Sequence, residues 1–213
     1  MATITKGILG GFSGKVGTVV GANYRGKDII RSRPKASGKA PTVKQLLQQA
    51  KFKLVVSFLQ PLKVIQNKYF GMKMGAKSRV NLAAAYLLDN AIQVIANTPE
   101  LMYNKILITK GELAAFQNAL ASAKPGGVVD LSWEDNSTQA NANGTDVVNA
   151  VCYCEALDMF SLFPAVATRI DLVGSINLPG SFTAQQVQIW LYMNNAAQSS
   201  ACNSDYLGAI TIQ

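Results

Sequence analysis

The chain has 213 residues, of which 49% are hydrophobic and 15% charged, a balance that excludes a disordered chain and leaves few charges for the surface. It contains no histidine, which removes the usual general base at neutral pH and the commonest zinc ligand. Because we find no other catalytic or metal-binding pattern, we predict that the protein is not an enzyme and holds no cofactor, metal or small-molecule substrate.

The net charge of +8 is divided unevenly along the chain. Residues 1–80 hold 16 Lys and Arg against one acidic residue, Asp28, which gives +15, whereas residues 81–213 hold 4 basic and 11 acidic residues, which gives −7. A basic half binds polyanions such as nucleic acid, or it meets the acidic half of a neighbouring subunit in a head-to-tail contact that generates rings or filaments. A solvated basic face with no partner is the third interpretation.

Residues 3–33 show short apolar runs separated by glycines, which predicts a β-ribbon. Gly26-Lys27 lies between two of these runs and is typical of a hairpin turn. The ribbon has little apolar bulk, so we expect it to pack on the following helices or on a neighbouring subunit. Residues 31–41 form a basic connector rich in Pro, Ser and Gly, which we expect to be extended and exposed.

Helices are predicted next. Thr42 is a suitable N-cap for a helix over residues 43–59, which has an apolar stripe and is ended or kinked by Pro61. A shorter helix is expected over residues 62–70. A third is expected from residue 78 or 79 to residue 96, closed by Pro99.

From about residue 103 the pattern changes to that of β-strands. Seven short strands at a spacing of about ten residues predict an antiparallel β-sandwich, with strands over residues 105–110, 128–133, 147–155, 159–163, 167–172, 187–193 and 206–212. The predicted fold class is therefore α+β: an N-terminal β-ribbon and helices, then the sandwich. We divide the chain into a ribbon and arm (1–41), a helical region (42–100) and the sandwich (101–213).

The cysteines and the longest polar loop offer little chemistry. Cys152 and Cys154 share a face of one predicted strand, and we interpret them as small buried side chains, with a bridge from Cys202 to one of them left open. Residues 134–146 are predicted to be an exposed loop, and the spacing of its Glu134, Asp135 and Asp146 matches no calcium-binding loop.

Several stretches carry a resemblance to a known family: GILGGFSGKVGTVVG at residues 7–21, YRGKDIIRSRP at 24–34, PTVKQLLQQAKF at 41–52, LSWEDNS at 131–137 and YLG at 206–208. They resemble a family of uncharacterised proteins of about this length from Bacteroidota, which carries a domain-of-unknown-function label. The resemblance implies a bacterial or phage origin and an immunoglobulin-like or fibronectin-like half at residues 101–213. It transfers no catalytic residue. The basic stretch is also similar to phage-like virion proteins.

These observations favour a non-enzymatic structural protein that assembles into a filament, tube or shell. The expected contacts join basic residues of the N-terminal half to acidic residues of the sandwich: Arg25, Lys27, Arg31, Arg33, Lys35, Lys39, Lys44, Lys51 and Lys53 on one side, and Glu134, Asp135 and Asp158 on the other. The alternative is a protein that binds nucleic acid through the same basic half without reading sequence. An adhesion or carbohydrate-binding module is a weaker hypothesis that rests on the sandwich alone.

The compartment is left open by the sequence. The first residues lack the apolar core of a signal peptide, and no segment is long and apolar enough to cross a bilayer. We therefore expect synthesis in the cytoplasm, no membrane span, and a place in a virion or an extracellular assembly as further options.

Overall fold

A computed structural model of the chain describes residues 3–4, 10–24, 26–35, 38–72, 75 and 77–213. Its N-terminal part is the predicted ribbon, an antiparallel sheet in the order β1-β2-β3-β4, formed by Thr3–Ile4, Phe12–Val16, Val19–Tyr24 and Lys27–Ser32. Tyr24 pairs directly with Lys27, so the hairpin turn lies one residue earlier than predicted.

Three α-helices follow the ribbon in the described residues: α1 (Val43–Leu59), α2 (Lys63–Tyr69) and α3 (Arg79–Asn90). Thr42 caps α1 as predicted. Its hydroxyl accepts a hydrogen bond from the backbone N–H of Gln45 (3.4 Å), while Gln45 Oε1 accepts one from the backbone N–H of Thr42 (2.9 Å). This reciprocal capping box satisfies two donors that the first turn leaves free, and α1 ends just before Pro61.

The third helix is shorter than predicted, because a β-hairpin replaces the end of it, after Asn90. Strands β5 (Ile92–Ile95) and β6 (Thr98–Leu101) pair antiparallel, and the two turn residues, Ala96 and Asn97, have φ angles of 48° and 64°. Such left-handed angles are those of a tight hairpin turn that matches strand twist. The helical period of the apolar residues continues past Asn90, but their β-branched side chains suit a strand equally well.

The predicted α+β class with a β-sandwich is confirmed. One sheet has the order β10-β9-β12-β13 and the other β11-β8-β7, and all pairings are antiparallel. The strands are β7 (Gln117–Lys124), β8 (Val128–Glu134), β9 (Val147–Cys154), β10 (Met159–Thr168), β11 (Val173–Asn177), β12 (Gln186–Asn194) and β13 (Asp205–Thr211).

Two individual strand predictions are wrong, and two strands of the sandwich were not predicted. Residues 106–110 follow a 3-10 turn as extended chain outside both sheets, and side chains hold them: Ser204 Oγ accepts from Ile108 N (2.8 Å). The predicted strand at 167–172 is the end of β10 followed by a second 3-10 turn, Arg169–Asp171. The missed strands, β7 and β11, are rich in Ala, Ser, Asn and Gly, so they lack the apolar alternation that identifies a strand.

The two central strands of the first sheet of the sandwich, β9 and β12, are buried on both faces. Every residue of β9 after Val147 and every residue of β12 after Gln186 is buried. Helix α1 covers one face, where the Phe58 ring lies 5.2 Å from that of Tyr153 and 6.3 Å from that of Trp190. The second sheet packs on the opposite face, so one hydrophobic cluster runs through the helices and both sheets, from Val55 to Ile212.

The three cysteines lie inside this core as free thiols. Cys152 and Cys154 share a strand face, as predicted, and Cys202 forms no bridge with either of them. Its sulfur instead accepts a hydrogen bond from the backbone N–H of Met193 (3.0 Å).

Candidate interaction surfaces

Strand pairing sorts the side chains of the ribbon onto two faces. Lys15, Val20 and Arg31 are direct neighbours across β2, β3 and β4. Lys27 and Ile29 lie on the same face as Arg31, because side chains alternate along a strand. This face therefore carries three cations around apolar side chains.

The opposite face of the ribbon is apolar apart from Asn23, Asp28 and Ser32. Val16 pairs with Val19, and Gly21 pairs with Ile30; the Phe12 ring lies over Gly21, where a Cβ atom would collide with it. Ile30 is 68% exposed and Val16 is 53% exposed. In the described part of the ribbon, no residue belongs to the core cluster or packs against it.

The predicted basic residues lie in three successive elements. Lys27 and Arg31 belong to β4, Arg33, Lys35 and Lys39 to the connector, and Lys44, Lys51 and Lys53 to α1; Arg25 lies outside the described residues. All of those described are exposed except Lys51, which is half-buried. The ion pairs found among the described residues are Lys124–Asp130 and Arg169–Asp146, so none of the described cations of this set forms an ion pair with another described residue.

The predicted acidic residues do not form one cluster. Glu134 and Asp135 lie at the end of β8. They are near the end of β10, because the neighbouring Trp133 Nε1 donates a hydrogen bond to the carbonyl of Arg169 (2.8 Å), the residue that follows β10. Asp158 lies in the turn before β10, a strand of 10 residues. The structure thus places Asp158 and the Glu134–Asp135 pair at opposite ends of the sandwich.

Local hydrogen bonds fix two of these carboxylates. Asp135 accepts a bond from the backbone N–H of Ser137 (2.9 Å), and this bond lowers the pKa of Asp135. Asp158 accepts a bond from the Tyr153 hydroxyl (2.9 Å). Burial of Tyr153 makes the largest contribution to raising its pKa, and the hydrogen bond to Asp158 makes the next largest. The hydroxyl therefore keeps its proton and donates it to the hydrogen bond with Asp158.

The ribbon ends in an unpaired strand edge. Strand β4 is the last of its sheet, and all six of its residues are exposed. The backbone N–H of Arg33 donates to the carbonyl of Thr18 (2.8 Å), so Arg33 and, by alternation, Arg31 and Ile29 direct their backbone groups toward β3. The backbone groups of Asp28, Ile30 and Ser32 therefore face the open side.

A second unpaired edge belongs to β10, which pairs with β9 and with no other strand of the described residues. Its first five residues, 159–163, pair with β9 without interruption, and a bulge follows at residues 163–167, around Pro164. Met159 is 48% exposed and Leu162 is 42% exposed on this part of the strand.

Two concave surfaces lie on the helical side of the molecule. A groove of about 390 Å³ between α1 and α3 is apolar, with Phe52, Val56 and Leu88 among its lining residues. A cleft of about 320 Å³ beyond α2 is lined by Lys68, Arg79, Lys110 and Glu112, among others. The described residues contain no cluster of three or more Cys, Asp or Glu placed to hold a metal ion, and no described helix is long and apolar enough to cross a membrane.

The one buried ion pair of the described residues was missed by the sequence reasoning. Arg169 is fully buried; its Nε and Nη2 donate to Asp146 Oδ2 at 3.1 and 3.0 Å. It also donates to Asn136 Oδ1 and to the carbonyl of Ala114. The prediction of an exposed loop at 134–146 is therefore wrong at Asn136 and Asp146, which are buried to bind Arg169. The one signal of this ion pair in the sequence was Arg169 itself, the single arginine of the acidic residues 81–213.

Comparison with known proteins gives a family and no activity. No curated protein matches the chain. A model for a family of unknown function, DUF6266, matches residues 11–208, which span the ribbon, the helices and both sheets of the sandwich. The chain therefore belongs to the DUF6266 family of unknown function.

Proposed function

We propose that this protein is a non-enzymatic structural subunit that assembles into a filament, tube or shell through its basic N-terminal segment, residues 1–41. The observation that carries the proposal is the isolation of this segment. In its described part, it has no ion pair and no place in the core of its own chain, although it exposes Val16 and Ile30.

The half of the chain after residue 80 supplies the counter-charge that the segment lacks. Residues 81–213 have a net charge of −7, and Glu134, Asp135 and Asp158 are exposed. Contact between the basic segment of one copy and the acidic sandwich of the next uses two different surfaces. Such a contact is heterologous, and it repeats until it closes into a ring or extends as a filament.

Electron microscopy of the purified protein tests this function. We expect regular particles in negative stain at physiological ionic strength and fewer at high salt, because salt screens the attraction between exposed charges. Arg31→Glu/Arg33→Glu should shift the protein to small species in sedimentation velocity. The control, Lys105→Glu/Lys124→Glu, makes the same change of charge outside the segment and should assemble normally. Small monodisperse particles under every condition would reject the function.

Binding of nucleic acid is the second candidate, favoured by the cationic face formed by Lys15, Lys27 and Arg31. Contacts of this kind bind phosphates without reading bases, and their affinity falls steeply with salt. A gel shift with mixed-sequence DNA and RNA at two salt concentrations, and the ratio of absorbance at 260 and 280 nm in purified particles, test it. A clean protein ratio and no shift at low salt would reject it. A Bacteroidota source and a place in a virion stay predictions from the resemblance.

A further inference from the structure

We propose that the open edge of β4 pairs, antiparallel, with the open edge of β10 in a second copy of this chain, and so adds a strand to the first sheet of the neighbour's sandwich. The inference rests on the proposed function and deepens it, because it names the surface that receives the ribbon. An exposed strand edge is a template for pairing with another chain, and proteins use strand addition for recognition.

The backbone groups on both sides are free to pair. Asp28, Ile30 and Ser32 direct their N–H and C=O groups away from β3, and no described strand takes them up. On the receiving side, residues 159–163 are paired with β9 alone. The two edges also match in length, with six residues in β4 and five in the uninterrupted part of β10.

Other edges of the sandwich are less accessible. Strand β13 packs beside β7, which occupies that side of the two sheets. On the other side, Gly174 at the start of β11 lies against Val166 and Ala167 near the end of β10. The beginning of β10 extends beyond this contact, and its exposed Met159 and Leu162 provide apolar area for Ile29 and Ile30.

Charge selects the antiparallel orientation. Residues 147–168 contain no Lys or Arg and two acids, Glu155 and Asp158, which precede β10. Antiparallel pairing brings Arg31 and the following Arg33 toward these acids and places Asp28 at the far end. Parallel pairing would instead bring Lys27 and Asp28 toward Asp158, and their opposite charges would leave little net attraction.

Mixed disulfides between two variants, each with one added cysteine, test the contact directly. Ile30→Cys is mixed with Ser161→Cys or with Leu162→Cys under mild oxidation, so that any bridge joins two molecules. Because neighbours on one strand point to opposite faces, we expect a strong heterodimer band with one of the two partners and a weak one with the other. The control partner is Leu120→Cys on the second sheet, which is 67% exposed. The native thiols are buried and should give no band.

A pair of substitutions at one position tests the backbone contact. Ile30→Pro removes an N–H that faces the open edge and leaves the bonds to β3 in place, whereas Ile30→Ala removes the side chain alone. We expect Ile30→Pro to raise the concentration needed for assembly about tenfold beyond Ile30→Ala, as a lost backbone hydrogen bond at a buried interface would. Equal behaviour of the two variants would overturn strand addition.

The outcomes separate this inference from the proposed function. Regular particles without a selective disulfide at residue 161 or 162 would overturn the β4–β10 contact and leave assembly standing. A selective disulfide between molecules that never form particles would establish the contact and reject the filament, tube or shell. Bands of equal strength with Leu120→Cys would overturn the contact, since random collision gives that result.

Discussion

The segment before residue 42 and the body after it differ in what surrounds their side chains. In the body, helices and sheets share one core, β9 and β12 are buried on both faces, and the deepest charge, Arg169, is neutralised by Asp146 at 3.0 Å. In the described part of the ribbon and connector, strands are formed and paired, but apolar side chains and cations face outward.

The two regions therefore differ in the source of their stability. The body buries enough apolar surface within one chain to be stable alone, because buried area is the main favourable term in folding. A small sheet without a covered apolar face is marginal in water. We therefore expect the order of the ribbon to depend on a surface outside its own chain, and the following variants test the contrast, beginning with the largest expected change in stability.

Removal of the buried cation should have the largest effect. Arg169→Met leaves the Asp146 carboxylate buried without its partner, and we expect a loss of about 3–5 kcal/mol in the free energy of unfolding. Urea titration followed by tryptophan fluorescence measures it. The double variant Arg169→Met/Asp146→Asn removes both charges and should recover part of the loss. A single-variant loss below about 1 kcal/mol would show that water reaches Asp146 and that the body is less closed than described.

An unpaired amide in the core predicts a gain. Both polar atoms of the Gln66 side chain are buried, without a hydrogen-bond partner among the described residues. Gln66→Leu should therefore raise the free energy of unfolding by about 1–2 kcal/mol, because an unsatisfied buried polar group is destabilising. Gln49→Leu at an exposed position of α1 is the control and should change the free energy of unfolding little. A decrease for Gln66→Leu would mean that the amide has a partner in solution.

The β5–β6 turn predicts a smaller gain. Ala96 has a φ of 48°, where a Cβ atom is disfavoured by about 1 kcal/mol. Ala96→Gly should therefore stabilise the protein by up to about 1 kcal/mol in thermal or urea unfolding. The same substitution at Ala85, on the exposed side of α3, should destabilise by about the same amount. Losses of equal size at both positions would contradict the hairpin.

Deletion of residues 1–41 should have the smallest effect on stability. Because none of the described residues before 42 joins the core cluster, we expect the free energy of unfolding to change by less than about 0.5 kcal/mol. The same deletion should abolish particle formation. A loss of several kcal/mol would show that the ribbon covers its own body, and the contrast between the two regions would fail.

Elements with strong local signals were predictable from the sequence. The capping residue Thr42 and the apolar stripe gave α1 its bounds, and alternation gave β12. Predictions failed where one local pattern is compatible with two structures, as in the run after Asn90, which suits both a helix and a strand. They also failed where tertiary contacts decide the structure, as for β11, which buries Ile176 alone and is otherwise held by pairing with β8.

The candidate surfaces were predictable only in composition. Counting charges identifies the basic segment, but which cations share a face depends on register, which sets Lys15 beside Val20 and Arg31. The separation of Asp158 from Glu134 depends on the path of β9 and β10, and no local pattern encodes it. The partner of Arg169 lies 23 residues away in the chain, so it too is set by the fold.

The burial of the three cysteines has a consequence for handling and for durability. Desolvation by the surrounding core raises the pKa of Cys152 and of Cys202 to about 12, and the thiolate is the form that oxidants and alkylating reagents attack. We therefore expect the folded chain to keep one covalent form in reducing and in oxidising surroundings. The proposed particles should then withstand the passage from one to the other without mixed disulfides, and thiol reagents should label the chain only after it unfolds.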